Sequence, residues 1–202
     1  MNLSINGQEI KEIFIEIRDE LIRNKDYLCQ LDGVMGDGDL GITMSEGYGK
    51  VVEGMDSSSE NKAGKLLFHA GTVMAGAAPS TMGTLVATAM MRAGKEVKDA
   101  EVIHADDFVR MGQAAIEGIK QRGKAIQGEK TILDALIPAV EAIESSLSEG
   151  KNSKEIFSMA YSSAMQGVER TKEMKAVHGR ACWYGDQSIG KQDAGATACM
   201  LI

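Results

Sequence analysis

The chain has 202 residues, 44% hydrophobic but only 4% aromatic, with 23 glycines and two prolines; this length carries one full core, and the shortage of aromatic and β-branched runs leans towards helix. Acidic residues number 29 against 22 basic ones, a net charge of −7, which argues against a nucleic-acid groove or a polybasic membrane patch. No apolar stretch reaches the roughly 20 residues of a membrane span, and Met1 to Ile10 lack the basic-then-apolar order of a signal peptide, so a cytoplasmic protein is expected.

Ile10, Ile13, Phe14, Ile17, Leu21 and Leu28 recur at three-and-four spacing and predict one helix over 7–29. Helices are expected next near 39–54, 61–77 and 80–95. The spacing returns in Phe108, Met111, Ala115, Ile116 and Ile119, then in Ile132, Leu133, Leu136, Val140 and Ile143. It recurs in Ile156, Met159, Ala160, Ala164 and Val168, and a last helix is expected near 193–202. Asp106 and Asp107, Thr131 and Ser153 stand where N-caps belong. The expectation is an all-α single domain, residues 1–202, of seven or eight helices, with no repeat and no linker.

Glycine collects at four junctions between these helices: 31–41, 71–83, 123–131 and 179–195. In the first, Asp32, Asp37 and Asp39 lie among four glycines. Crowded carboxylates repel one another unless a hard cation sits between them, and magnesium is the natural occupant; a solvated acidic turn is the plain alternative. In the second, Ser80, Thr81 and free amides suit phosphate oxygens, with an ordinary cap at Ser80 as the alternative. In the third, Gly123-Lys124 and Gly128 to Ile132 bring backbone amides and a helix start to a ligand. In the fourth, Arg180 offers a fork to phosphate or an adenine edge, or else a surface ion pair.

Other patterns fail on inspection. Gly36-Asp37-Gly38-Asp39-Leu40-Gly41 satisfies the dinucleotide fingerprint but follows a helical pattern instead of a buried strand. As a calcium loop it has Ile42 where Gly belongs and Tyr48 where Glu belongs. Gly118 to Ala125 nearly matches a P-loop but ends in Ala where a hydroxyl must bind magnesium. Cys29, Cys182 and Cys199 lack any Cys-x-x-Cys pair and read as small buried hydrophobes. His69, His104 and His178 share no ligand spacing, and Trp183-Tyr184 reads as packing more readily than as a base stack.

Taken in order, Gly36 to Gly41, Gly128-Glu129-Lys130-Thr131 with Asp134-Ala135-Leu136, Gly179-Arg180-Ala181 and Ser188 to Ala196 resemble the successive signatures of the ADP-binding L subunits of the dihydroxyacetone kinases. The resemblance spans nearly the whole chain. It implies a barrel of about eight antiparallel helices with the nucleotide site at one end. It implies that Asp32, Asp37 and Asp39 hold a pair of Mg2+ ions against the phosphates of ADP or ATP. The nucleotide contacts it implies fall on Leu40, Gly41, Ile42 and Thr43, on Ala77 and Ala78, on Gly123, Ile132 and Arg180, and on Asp193, Ala194 and Gly195. Two departures stand out: Leu40 replaces a common His, and Gly76 to Thr81 replaces the usual Gly-Ala-Ser-Gly-Pro-Leu, so a serine contact to phosphate is lost or moved to Ser80.

Single-chain ATP-dependent members carry an additional substrate domain, for which 202 residues leave no room. The resemblance therefore implies a separate substrate-binding kinase subunit as partner, a phosphotransferase-system phosphocarrier as a candidate donor, and a homodimer as an option. The implied activity is transfer of the γ-phosphoryl to a short ketose. A nucleotide module serving another acceptor, as in fatty-acid kinases, and a non-catalytic regulatory partner are the alternatives.

Overall fold

The computed structural model describes residues 3–202; Met1 and Asn2, which open the segment read for a signal peptide, lie outside the described residues. Helix α1 (Gly7–Arg23) starts at Asn6, whose side chain accepts from the Gln8 and Glu9 amides while the Glu9 carboxylate accepts from the Asn6 N–H. This reciprocal box satisfies otherwise orphaned donors. The helix expected over 7–29 breaks at Asn24. Its side-chain amide donates to the Glu20 carbonyl at 2.9 Å and the Glu20 carboxylate at 2.7 Å, competing with the helical backbone, and α2 (Lys25–Asp32) begins beyond it.

The remaining helices stand close to their expected places: α3 (Leu40–Asp56), α4 (Ala63–Ala77), α5 (Thr81–Glu96), α6 (Ala105–Gly123), α7 (Leu133–Ser148), α8 (Ser153–Arg170) and α9 (Ala194–Leu201). Among the described residues this makes nine α-helices, one more than the upper expectation, because of the break at Asn24. Two of the expected caps shift. Asp107 lies inside α6, accepting from the N–H of the true cap His104 at 2.8 Å, and Ser153 is the first residue of α8, capped by Asn152. Thr131 does accept from a helix-start amide, that of Leu133, at 3.2 Å.

Two short strands were not expected. β1 (Ser4–Asn6) and β2 (Val102–His104) pair antiparallel, with Ile5 opposite Ile103. Three residues are too few to show alternation in a sequence. Each strand runs straight into a helix cap, at Asn6 and at His104, so the pair ties the starts of α1 and α6 together.

Each helix from α3 to α9 packs on its chain neighbours, α1 lies on α3, and α9 touches α1, α2, α7 and α8, so the arrangement closes on itself. Inside lies a continuous cluster that includes Leu21, Leu28, Met44, Tyr48, Leu66, Met74, Ile119 and Leu133, all fully buried. Each such large side chain contributes roughly 1.5–3 kcal/mol of burial. Phe14 stacks on Tyr48 at 5.9 Å. The chain reverses from each helix to the next between α3 and α9, the last time through the long 171–193 connection, so α3, α5, α7 and α9 all begin at one end, away from the strand pair. Close approach there is direct: a Cβ on Gly195 would meet Asp193 Oδ2 at 3.2 Å, Met82 Sδ at 3.7 Å and the Ile132 nitrogen at 3.8 Å.

The cysteines correct one expectation. None of the three is fully buried; all are half-buried, although desolvation still pushes the Cys199 thiol up to about 12. Trp183 corrects another, since it is 87% exposed.

Candidate functional site

The end at which α3, α5, α7 and α9 begin receives all four glycine-rich junctions. Free amides and the positive ends of four helix dipoles therefore face one region, which favours a polyanion.

The first junction places its carboxylates together: ligand oxygens of Asp32, Asp37 and Asp39 all lie within 4.8 Å of one another. Gly38, at φ 75, turns the chain so that its N–H donates to Asp32 Oδ2 at 2.9 Å. Gly36 leaves room for the same carboxyl, since a Cβ there would lie 2.3 Å from Asp32 Oδ1. Asp32 is raised above the usual carboxylate range, chiefly by desolvation and further by repulsion from Asp37, against the hydrogen bond from Gly38. Asp39 precedes α3 without its side chain capping the helix, so its oxygens remain available. Three oxygen donors crowded against their own repulsion fit a hard divalent cation.

Arg180 joins this cluster, its Nη2 2.7 Å from Asp37 Oδ2. The ion pair that was the plain reading of Arg180 is thus made, but with a carboxylate of the acidic triad. Leu40 and Gly41 are buried at the start of α3, where a Cβ on Gly41 would strike the Lys25 carbonyl at 1.9 Å; Ile42 is exposed and Thr43 half-buried.

At the α4–α5 junction Ala77 is half-buried, Ala78 is buried and Thr81 exposed. The Ser80 hydroxyl accepts from the Gly83 amide at 3.0 Å, so it does serve as the ordinary cap of α5. Its O–H remains able to donate to a ligand. A groove of about 580 Å³ lined by Glu46, Gly49, Lys50, Glu53, Val73 and Ala77 runs along the outer wall of α3 and α4, and Ala77 is the one nominated residue in it.

The third and fourth junctions are knitted together. Asp134, buried in the first turn of α7, accepts from the Gly128 amide at 2.6 Å and the Thr131 amide at 2.7 Å. Lys130 is 3% exposed and left-handed at φ 61, a conformation that costs an L-residue about 1 kcal/mol. Its ammonium donates to the carbonyls of Thr171 at 2.5 Å, of Met174 at 3.4 Å and of Lys191. Burial lowers its pKa, and nearby Asp193 and Asp134 oppose that. Asp193 caps α9 by accepting from the Ala196 amide at 2.7 Å, and desolvation pushes its carboxyl up to about 6. Ile132 is buried beside Gly195; Gly123 and Ala194 are half-buried at the same end. Together the geometry yields an acidic metal-type cluster, paired with Arg180, and a set of amide-bearing helix starts at the same end.

A DAK2 domain profile matches residues 34–202. The chain belongs to the DAK2 domain family. It is 29% identical over 200 residues to the ADP-binding subunit DhaL of the PEP-dependent dihydroxyacetone kinase of Escherichia coli, covering 99% of this chain and 95% of that one. It is 32% identical over 179 residues to the corresponding subunit of kinase 1 of Listeria innocua, covering 89% and 84%. An L-erythrulose kinase of Pectobacterium atrosepticum is 30% identical over 92% of this chain but only 32% of its own length. The crystal structure of the dihydroxyacetone kinase from C. freundii in complex with AMP-PNP and Mg2+ superposes with a TM-score of 0.74 at 21% identity. This DAK2 domain spans about a third of that kinase chain, matching over 34% of it.

Within the DAK2 domain, sequence reasoning missed the structural use of Lys130 and Asp134, and the contact of Glu129 Oε2 with His178 Nε2 at 2.6 Å. The signal available was a Lys and an Asp flanking the apolar Ile132-Leu133 pair, where a charge is buried only with partners.

Proposed function

We propose that this DAK2 domain is the nucleotide-carrying phosphotransferase subunit of a short-ketose kinase of the dihydroxyacetone type. It carries Mg-ADP or Mg-ATP and passes the γ-phosphoryl to a ketose held on a separate substrate-binding subunit. The observation that carries this reading is the Asp32–Asp37–Asp39 cluster at the convergence of four helix starts. The names of the E. coli and L. innocua relatives, which align along nearly their whole length, support it.

A magnesium pair, when bound, neutralises phosphate charge. The chain's own residues do the rest. Amides at the starts of α3, α5, α7 and α9 receive phosphate oxygens, and Arg180 supplies a fixed cation beside them. Such transfer needs positioning and charge neutralisation and no covalent intermediate on this subunit. Exposed Val34, Ile42, Ile126, Trp183, Tyr184 and Ile189 sit on the segments that frame the site, an apolar, aromatic rim suited to the substrate subunit. A phosphocarrier protein as donor, a homodimer and a cytoplasmic location complete the proposal. Among the described residues no helix is long and apolar enough to cross a membrane.

The test is reconstitution with a substrate-binding subunit and a phosphocarrier, offering dihydroxyacetone and a tetrulose as acceptors. Wild-type chain is expected to support transfer, and the Asp37→Ala, Asp39→Ala double variant to lose more than about tenfold, the scale seen when even outer groups of metal sites are removed. Transfer undiminished by the double substitution overturns the metal assignment.

A further inference from the structure

The stretch between Met174 and Lys191 forms a strap across the site end, carrying Arg180 and Trp183 on the 3-10 turns of Arg180–Ser188. Its two ends meet at a neck. There the Gly190 amide donates to the Lys172 carbonyl at 2.6 Å, and the Asp193 amide donates to Thr171 Oγ1 at 3.0 Å. The Lys130 ammonium sits in this neck, bonded to Thr171 and Met174 on the incoming side and to Lys191 on the outgoing side. One buried cation thus ties both ends of the strap. Among the described residues it has no carboxylate within ion-pair distance, so its hydrogen bonds run to backbone carbonyls. The neighbouring residue, Glu129, takes hold of the strap further along, through His178 at 2.6 Å, two residues before Arg180. Glu129 is itself held by the Ile126 amide at 2.9 Å. The turn that presents both residues is braced from below by Asp134.

Resting on the proposed nucleotide function, we propose that Glu129 and Lys130 are positioning residues for Arg180. Lys130 closes the neck of the strap and Glu129 grips it beside the guanidinium, so that Arg180 is delivered to the Asp32–Asp37–Asp39 cluster. A left-handed lysine, buried at an ordering cost and aimed at three carbonyls of the strap's ends and neck, is otherwise an expensive way to fill space.

Trp183 is the one tryptophan of the chain and rides on the strap, so its fluorescence anisotropy reports strap mobility without any ligand. Wild type, Glu129→Ala, Lys130→Met, Arg180→Ala and the two double variants with Arg180→Ala are compared by anisotropy, by Mg-ADP titration calorimetry and by far-ultraviolet circular dichroism. The expected result is native helicity, lowered Trp183 anisotropy in Glu129→Ala and Lys130→Met, and Mg-ADP affinity reduced by about tenfold in Lys130→Met, the outer-shell scale. Each double variant is expected to bind no worse than Arg180→Ala alone, since residues acting through one group are not additive. Should Lys130→Met fail to fold, Glu129→Ala decides, because that side chain is only half-buried. Unchanged anisotropy in Glu129→Ala, or losses that multiply with Arg180→Ala, overturns the proposal. A wild type that does not bind Mg-ADP sinks the nucleotide reading instead, and the anisotropy comparison still stands.

Discussion

Asp193 and Lys130 show how much a single desolvated charge decides at this site. Asp193 is required as the cap of α9, yet desolvation pushes its carboxyl up to about 6 from an ordinary 3.8. The folded state therefore holds the proton more tightly than the unfolded chain between about pH 4 and 6, and stability from this group falls as pH rises through that window. Asn caps a helix as well as Asp and carries no charge. In Asp193→Asn the stability gain over wild type should grow from pH 4 to pH 6 and then level off, by up to about 3 kcal/mol at about 1.4 kcal/mol per pKa unit. Denaturant unfolding across that range measures it, and a difference flat with pH refutes it. Asp32, Asp37 and Asp39 were legible in the sequence because their spacing is itself the signal. Lys130 and Asp134 had no such legible role, since their partners are backbone groups, some of them more than forty residues away, that no spacing encodes.

The helices over 7–29 and those that became α6, α7 and α8 were legible because amphipathic periodicity repeats along them, and the helix order delivers the four glycine junctions to one end. The break at Asn24 was not, because two side-chain hydrogen bonds to Glu20 leave the apolar period intact on both sides. Glycines that looked alike in the sequence separate by what they touch. Gly167 lets α8 lie against the start of α7, where a Cβ would meet the Asp134 carbonyl at 2.0 Å; Gly49 on α3 faces open space. Gly167→Ala is expected to cost about 1–3 kcal/mol of overpacking, a fall in melting temperature of about 3–10 °C. Gly49→Ala is expected to stabilise by up to about 1 kcal/mol through helix propensity. Thermal unfolding of the two variants side by side checks both, and equal effects would contradict the packing account.

For the whole molecule, a net charge of −7 and a phosphate-type site are compatible because the charge is local. Three carboxylates gather where a cation fits, at the end of the fold where four helices start. The departures at Leu40 and, within Gly76 to Thr81, at Ala78 are both buried residues, so their side chains belong to the wall behind the helix starts. The direct test is calorimetric titration of the chain with ADP, once with Mg2+ and once with a chelator. Saturable binding with Mg2+, weakened at least about tenfold without it, is the expected result. Equal affinity in both conditions, or no binding in either, would contradict the assignment of this end of the fold to a magnesium nucleotide.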